Sequence, residues 1–195
     1  VTSDVDGIKV CGVLFEAGDK QSETLLKVGN EKAEVSHSDN PICFSDVYFR
    51  VGGANYKGKV KNCVTINSND VIGDNFWAWR ADHGDNVGWD MNTAPNGIVI
   101  NGDNVTMYGL FVEHFQEYQT IWNGNGGKLY FYQSEMPYDA PNQKYYMSHN
   151  GKVKGYASFK IGDEVNDFYG CGLGIYCYNR DANIEIFSGA EIPNK

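Results

Sequence analysis

Two segments of this sequence share one pattern: Ile98-Val99-Ile100-Asn101-Gly102-Asp103-Asn104, which leads to Glu113, and Thr120-Ile121-Trp122-Asn123-Gly124-Asn125-Gly126, which leads to Glu135. Asn101 and Asn123 stand 22 residues apart, and so do Glu113 and Glu135. Self-similarity at a fixed spacing of this length is typical of proteins built from stacked coils. We therefore expect each segment to form one coil of a β structure, with the two glutamates on neighbouring strands.

Three earlier strand-like segments extend the pattern toward the N-terminus. The like positions form a predicted column made of Ala17, Val51, Trp79, Glu113 and Glu135. Its steps are 34, 28, 34 and 22 residues, so the bare coil has about 22 residues and the longer steps carry inserted loops. Short turns rich in Asn and Gly separate the segments, and both residue types tolerate the left-handed backbone that tight corners require.

The composition, with 23 Gly and 13 Tyr and few stretches of good helix formers, favours an all-β fold. The column at a repeating spacing predicts a right-handed parallel β-helix, that is, a single-stranded solenoid with a rung of about 22 residues and inserted loops. A β-sandwich stays open as the alternative, because short strands with turn signals also suit it. We expect residues 1–195 to form one parallel β-helix domain. Strand-like sequence without a cap at either end favours a piece of a longer protein.

Charge and residue usage exclude several classes of partner. The net charge of -9 and pI of about 4.8 argue against a nucleic-acid partner, because phosphate binding needs clustered Lys and Arg. No apolar run is long enough to span a bilayer, so we expect no membrane partner. None of the five cysteines forms a tight cluster with histidines, so we expect neither a metal nor another cofactor.

The two glutamates indicate acid–base chemistry. Adjacent strands lie about 4.8 Å apart, so stacked Glu113 and Glu135 would share one patch of surface. Two close carboxylates do not both ionise easily, and the one that keeps its proton can donate to a glycosidic oxygen. Paired carboxylates are the usual machinery of glycoside hydrolysis. The simpler interpretation is that the two glutamates belong to a solvated charged face without a catalytic role. The aromatic residues around them argue against this interpretation.

Aromatic residues near the column are suited to carbohydrate, because aromatic faces stack on the apolar faces of sugar rings. In sequence or by coil, Trp79, Trp122 and Tyr138 are near the glutamates. The polar loop after Trp79 contains Asp82 and His83, which are candidates for hydrogen bonds to sugar hydroxyls, although a loop that caps itself through Asx turns explains them equally well. His114 follows Glu113, and strand alternation predicts that it faces away and has a structural role.

Three motifs resemble the signature segments of glycoside hydrolase family 55. They are Trp77-Ala78-Trp79-Arg80-Ala81-Asp82-His83, Gly109-Leu110-Phe111-Val112-Glu113-His114 and Gln133-Ser134-Glu135-Met136-Pro137-Tyr138. The resemblance covers about Gly7 to Ile192 and is closer to the bacterial members. It implies an inverting, secreted exo-β-1,3-glucanase that needs no metal and acts on laminarin-type glucans. The family has two tandem parallel β-helix domains, so the resemblance implies that this chain is the C-terminal half and lacks an N-terminal β-helix partner.

The resemblance also implies roles for individual residues. Glu135 is implied to be the general acid and Glu113 to hold or activate the water. The implied substrate-binding residues are Trp79, Asp82, His83 and Tyr138, and Trp122 is added as a further aromatic candidate. Two other functions stay open: a non-catalytic extracellular β-helix that binds glycans or forms part of an assembly, and, ranked last, a polysaccharide lyase.

Overall fold

The computed structural model describes residues 4–31, 34–54 and 57–194, and within them the regular structure is almost entirely β. In these ranges a 3₁₀ turn occurs at Gln143–Tyr145. The strands are β1 (Lys9–Glu16), β2 (Ser22–Val28), β3 (Ile42–Val51), β4 (Val60–Ile66), β5 (Val71–Arg80), β6 (Asn96–Ile100), β7 (Thr106–Glu113), β8 (Thr120–Trp122), β9 (Gly127–Glu135), β10 (Met147–Ser148), β11 (Val153–Lys154), β12 (Phe159–Ile161), β13 (Phe168–Tyr176) and β14 (Ala190–Glu191).

The strands form two parallel sheets of six strands each. The first sheet has the order β1-β3-β5-β7-β9-β13 and the second the order β14-β12-β8-β6-β4-β2, so the chain alternates between the sheets from β1 to β9. Only the short β10–β11 pair is antiparallel among the described strands. The predicted all-β class is confirmed, and the β-sandwich alternative is wrong because both large sheets are parallel.

The larger of the two hydrophobic clusters found among the described residues lies between the inner faces of the two sheets. In β3, for example, buried and partly exposed residues alternate, and the alternation changes phase at Asp46. Buried Val28, Ile42, Phe76 and Ile98 belong to this core. Every second side chain of a strand points inward, so the remaining positions are left for the outer surface, where polar and aromatic groups are displayed.

The first sheet is bent along a column of left-handed residues, one in each strand. They are Gly12 (φ 65°), Asp46 (φ 54°), Asn75 (φ 55°), Gly109 (φ 68°), Phe131 (φ 64°) and Gly172 (φ 71°). Each interrupts the ladder for one position, for example between the Cys11–Ser45 and Val13–Val47 pairs. Gly, Asn and Asp adopt this conformation with little strain. The column therefore divides each strand of this sheet into two arms that face different directions.

A ladder of asparagines stabilises the turns that follow the second sheet. Asn101 Nδ2 donates to Asn67 Oδ1 at 2.8 Å, and Asn123 Nδ2 donates to Asn101 Oδ1 at 2.8 Å. The predicted Asn- and Gly-rich turns are thus stacked in register. A Cβ at Gly124 would come within 1.8 Å of the backbone oxygen of Gly102, so only glycine permits this close approach of successive turns.

The predicted column is correct in its C-terminal part and wrong by one residue in its N-terminal part. Trp79 pairs with Arg50, and Arg50 pairs with Glu16. The predicted members Ala17 and Val51 instead lie in the core, with exposures of 1% and 0%. The step from β3 to β5 is 29 residues rather than 28, and a slip of one residue moves every side chain of a strand to the other face.

Across the ranges that the structure describes, no helix has the length and apolar character required to cross a bilayer.

Candidate active site

A cleft of about 280 Å³ lies on the outer face of the first sheet, where β5, β7 and β9 end. Glu113 and Glu135 are direct partners in the parallel ladder, and Trp79 is the partner of Glu113 on its other side. The predicted stacking of the two carboxylates on neighbouring strands is therefore confirmed, while their catalytic roles stay predictions. The cleft is lined by Trp77, Trp79, Asp82, His83, Glu113, His114, Glu135 and Tyr138.

Glu113 is partly buried and is held by an indole. The Nε1–H group of Trp77 donates to Glu113 Oε2 at 2.9 Å. Burial raises the pKa of the Glu113 carboxyl, the Trp77 hydrogen bond opposes this, and the charges of Glu135 and Asp82 raise the pKa further. The expected rise of a pKa in the carboxylate pair is thus found at Glu113, the implied water activator rather than the implied acid, with burial rather than the neighbouring carboxylate as its largest cause.

Glu135 accepts hydrogen bonds on both carboxylate oxygens. The Tyr138 hydroxyl donates a short bond to Oε2, and the Gln133 side-chain amide donates to Oε1 at 3.2 Å. Burial and the negative charge of Glu135 raise the pKa of Tyr138, so its hydroxyl keeps its proton and acts as a donor. These contacts fix the orientation of the Glu135 carboxyl at the floor of the cleft.

His114 lies in the cleft, and the prediction that it faces away is wrong. Its backbone is left-handed, with φ 66°, which breaks the strand alternation and turns the ring toward Tyr138 at 4.3 Å between ring centroids. Nδ1 lies 3.2 Å from the carbonyl oxygen of Met136, which can only accept, so Nδ1 carries the proton. Burial lowers the pKa of His114, and its Nε2 lies 3.6 Å from Asp82 Oδ1 and 3.8 Å from Glu135 Oε2.

Asp82 and His83 enter the cleft from the loop after β5, as predicted. Asp82 Oδ1 lies 2.8 Å from His83 Nδ1, and the His83 ring lies 5.1 Å from the Trp79 ring between centroids. Burial alone would raise the pKa of Asp82, but the adjacent His114 and His83 lower it. Asp82 is therefore an ionised acceptor at the rim. The described residues contain no group of three or more His, Cys, Asp or Glu arranged to hold a metal ion.

Arg180 is a cleft neighbour that sequence reasoning missed. Its guanidinium donates to the backbone oxygen of Asp82 at 3.2 Å, lies 3.6 Å from Asp82 Oδ2, and lies 5.9 Å from the centroid of the Tyr138 ring. It stands 98 residues after Asp82 in the chain and belongs to no motif. Nothing in the sequence pattern pointed to this contact.

The tryptophans divide between the cleft and the core. Trp79 stacks on Trp77, with ring centroids 5.8 Å apart and planes 22° apart. Trp122, in contrast, is fully buried and packs against Phe159 and Phe168, so its predicted role in substrate binding is wrong. Its ladder partner is Ile100 in the second sheet, and both side chains point into the core.

A buried ion pair underlies the cleft. All five N–H donors of Arg80 are used: two bind Asp139 at 2.8 and 2.9 Å, and three bind the backbone oxygens of Asn92, His114 and Gly88. Arg80 follows Trp79 in the chain and Asp139 follows Tyr138. The pair therefore links the backbone beside the residues that line the cleft.

A larger groove of about 500 Å³ lies beside the cleft on the same face and shares two tryptophans with it. Its lining contains no carboxylate. The smaller cleft contains three, from Asp82, Glu113 and Glu135, and is therefore the candidate site for acid–base chemistry. The groove is lined by Leu14, Tyr48, Phe49, Arg50, Trp77 and Trp79.

Comparisons with known proteins agree with this geometry. The family model of the LAM55 pectate lyase-like domain matches residues 1–135. The chain is 48% identical to an exo-beta-1,3-glucanase of Streptomyces sp. (strain SirexAA-E / ActE), over 98% of this chain and 31% of that protein. The structure of sacteLam55A from Streptomyces sp. SirexAA-E superposes with a TM-score of 0.93 at 46% identity, covering 98% of this chain and 35% of that one.

A second solved structure, of a sacteLam55A variant in complex with glucose, superposes with a TM-score of 0.91 at 45% identity, again over 98% of this chain and 35% of that one. The chain thus spans about a third of the length of the relatives that it matches.

Proposed function

Because this chain belongs to the LAM55 pectate lyase-like domain family, we propose that it is the catalytic β-helix of an inverting exo-β-1,3-glucanase that releases glucose from laminarin-type glucans. Family membership confirms the resemblance that the three motifs indicate. The observation that carries the proposed activity is the pair of in-register carboxylates, Glu113 and Glu135, in a cleft bordered by stacked tryptophans.

We infer that the two parallel sheets are walls of one right-handed β-helix. Crossovers between parallel strands are right-handed in almost all proteins. The bent first sheet would supply two walls of each coil and the second sheet the third. The shortest step in the ladder, from Glu113 to Glu135, supports a bare rung of about 22 residues. The step of 34 residues from Trp79 to Glu113 would contain an inserted loop, the one that carries Asp82 and His83.

In the proposed mechanism Glu135 donates a proton to the glycosidic oxygen and Glu113 accepts a proton from the attacking water. Inversion requires carboxyl groups about 6.5–9.5 Å apart, which is wider than the spacing of adjacent strands. The donors support such a separation, because they hold the two carboxylates from opposite sides. Trp77 binds Glu113 from β5, whereas Tyr138 binds Glu135 from the segment after β9.

The remaining cleft residues fit a terminal glucose. Trp79 presents an aromatic face on which the apolar side of a sugar ring can stack. The ionised Asp82 and the largely exposed His83 lie where they can bind hydroxyl groups at the rim. Tyr138 closes the site next to the proposed acid. Removal of one residue from a chain end is proposed from the relative, which is an exo-beta-1,3-glucanase.

We further propose that a second, N-terminal β-helix domain completes the water site in the full-length protein. One observation supports this proposal: the chain spans 31% of the length of the exo-beta-1,3-glucanase relative. We also propose an extracellular location, because a polymeric glucan outside a cell is too large to enter it before hydrolysis.

The proposed function is tested by incubating the full-length protein with laminarin and following the anomer of the released glucose by NMR. We expect α-glucose as the first product, because inversion at a β-linkage gives the α-anomer. First formation of β-glucose would contradict inversion. Binding of laminarin without any release of glucose would favour the non-catalytic glycan-binding module.

The pH dependence follows from the state of Glu113. Its pKa is raised, so the carboxyl is ionised, and able to accept a proton, only above that raised pKa. We therefore expect the acid limb of kcat/KM to lie at higher pH than an exposed glutamate would give, with activity lost as the pH falls through it. Initial rates on laminarin across the acid range check this. In the Glu113→Gln variant, the pH profile of the residual activity should lack this acid limb.

A further inference from the structure

Trp77 borders both the cleft and the larger groove, and it is 40% exposed. In the parallel ladder it stands opposite Phe111, two residues before Glu113, so its indole reaches diagonally across the outer face. The Nε1–H group then meets Glu113 Oε2 at 2.9 Å. An indole has one donor and no acceptor, so this contact can only stabilise a carboxyl oxygen that accepts.

The indole is held in place by its neighbour. Its ring stacks on Trp79 with centroids 5.8 Å apart and planes 22° apart, and Trp79 in turn contacts His83. The donor therefore has a defined position that does not depend on a bound sugar. Donors that are already oriented toward a developing or fixed charge cost no reorganisation during a reaction.

Glu113 lies among groups that mostly favour its protonated form. Burial and the charges of Glu135 and Asp82 act in that direction. Within the part of the chain that the structure describes, the Trp77 indole is the hydrogen-bond donor recorded at the Glu113 carboxylate. Charged and titratable groups face the Glu113 carboxylate from several elements. Glu135 and Tyr138 come from β9 and the segment after it, Asp82 and His83 from the loop after β5, and His114 follows Glu113 itself. Farther away, Arg180 contacts Asp82, and the pair of Arg50 and Glu16 lies beyond Trp79.

We propose that Trp77 is a positioning residue for the proposed base: its indole N–H holds Glu113 Oε2, keeps the carboxylate ionised, and leaves Oε1 to accept the proton of the attacking water. This proposal rests on the proposed function, in which Glu113 activates water. It gives Trp77 a role different from that of Trp79, whose exposed face is the sugar platform.

The test is Trp77→Phe in the full-length protein, because phenylalanine keeps an aromatic ring against Trp79 and removes the donor. On laminarin we expect kcat/KM to fall about tenfold on the acid side of the profile, the effect of a lost hydrogen bond to a charged group, and at most about threefold on the plateau. The loss should be in kcat, with KM nearly unchanged. The matched variant Trp79→Phe should raise KM and leave the shape of the profile unchanged.

The shape of a pH profile does not depend on the fraction of folded enzyme, so it separates positioning from a structural defect. An equal loss at every pH in Trp77→Phe would overturn the proposal. In the Glu113→Gln background, Trp77→Phe should change the residual rate less than about twofold, because the amide has no charge to stabilise.

Two further outcomes separate this proposal from the proposed function. If Glu113→Gln removes activity while Trp77→Phe leaves the pH profile of kcat/KM unchanged, Trp77 does not position the base, and the glucanase proposal is unaffected. If Glu113→Gln leaves hydrolysis intact, the assignment of Glu113 itself falls, and the role of Trp77 with it.

Discussion

Glu135→Gln in the full-length protein is expected to reduce glucose release from laminarin by roughly 10²–10⁴-fold, the usual contribution of general acid catalysis. Glutamine has the shape of glutamate and can still bind Tyr138, but it has no proton to give to the leaving oxygen. Rates on laminarin, with the melting temperature as a check on folding, measure this effect. Activity within about threefold of the parent would rule out Glu135 as the acid.

The same variant has a diagnostic substrate. An aryl β-glucoside with a very good leaving group needs no proton donor, so Glu135→Gln should hydrolyse it at a rate close to that of the parent. Equal loss on both substrates would assign Glu135 a structural role instead. Glu16→Gln is a matched control, because Glu16 occupies the same column of the sheet on β1 and forms a surface ion pair with Arg50. Its activity should stay within about twofold of the parent.

Arg80→Met is expected to lower the free energy of unfolding by about 3–5 kcal/mol, because it leaves the Asp139 carboxylate buried without its partner. The Arg80 side chain is fully buried, and the side chain of Asp139 is 8% exposed. The backbone oxygens of Asn92, Gly88 and His114 lose their donor as well. Urea unfolding followed by tryptophan fluorescence measures the change.

The chain offers a matched comparison for this ion pair. Arg50 and Glu16 form a bridge of 2.9 Å whose side chains are 33% and 34% exposed, so Arg50→Met should cost less than about 1 kcal/mol. The double variant Arg80→Met, Asp139→Leu should recover part of the stability, since an apolar pair leaves no buried charge. If Arg80→Met costs no more than Arg50→Met, the buried pair does not stabilise the floor of the cleft as we infer.

The spacing in the sequence was sufficient to predict the central feature of the site. Glu113 and Glu135 lie at like positions of two similar segments, and parallel pairing brings like positions together. Asp82 and His83 were found because they follow Trp79 directly, on the same side of the coil. The first two column positions, Ala17 and Val51, were misplaced because the step from β3 to β5, which includes β4, is one residue longer than the predicted 28, and one residue changes the face but hardly changes the spacing.

The errors at Trp122 and His114 have different causes. A substrate-binding role was predicted for Trp122 only because it belongs to the same coil as Glu135. Its place in the second sheet, opposite the buried Ile100, directs it into the core instead. His114 was assigned by alternation, and its left-handed φ of 66° ends that alternation at the last residue before the loop. Alternation predicts faces only while the backbone stays extended.

The sequence by itself determined that strands stack in parallel and that two acidic side chains emerge together, because repeated local patterns need only regular pairing to meet in space. Only the tertiary structure decided what surrounds those acids: the histidine turned inward by one backbone angle, the arginine that arrives from the distant C-terminal segment, and the indole that reaches from β5 to the neighbouring strand β7. Such contacts depend on dihedral angles and on segments far apart in the chain, and no local pattern encodes either.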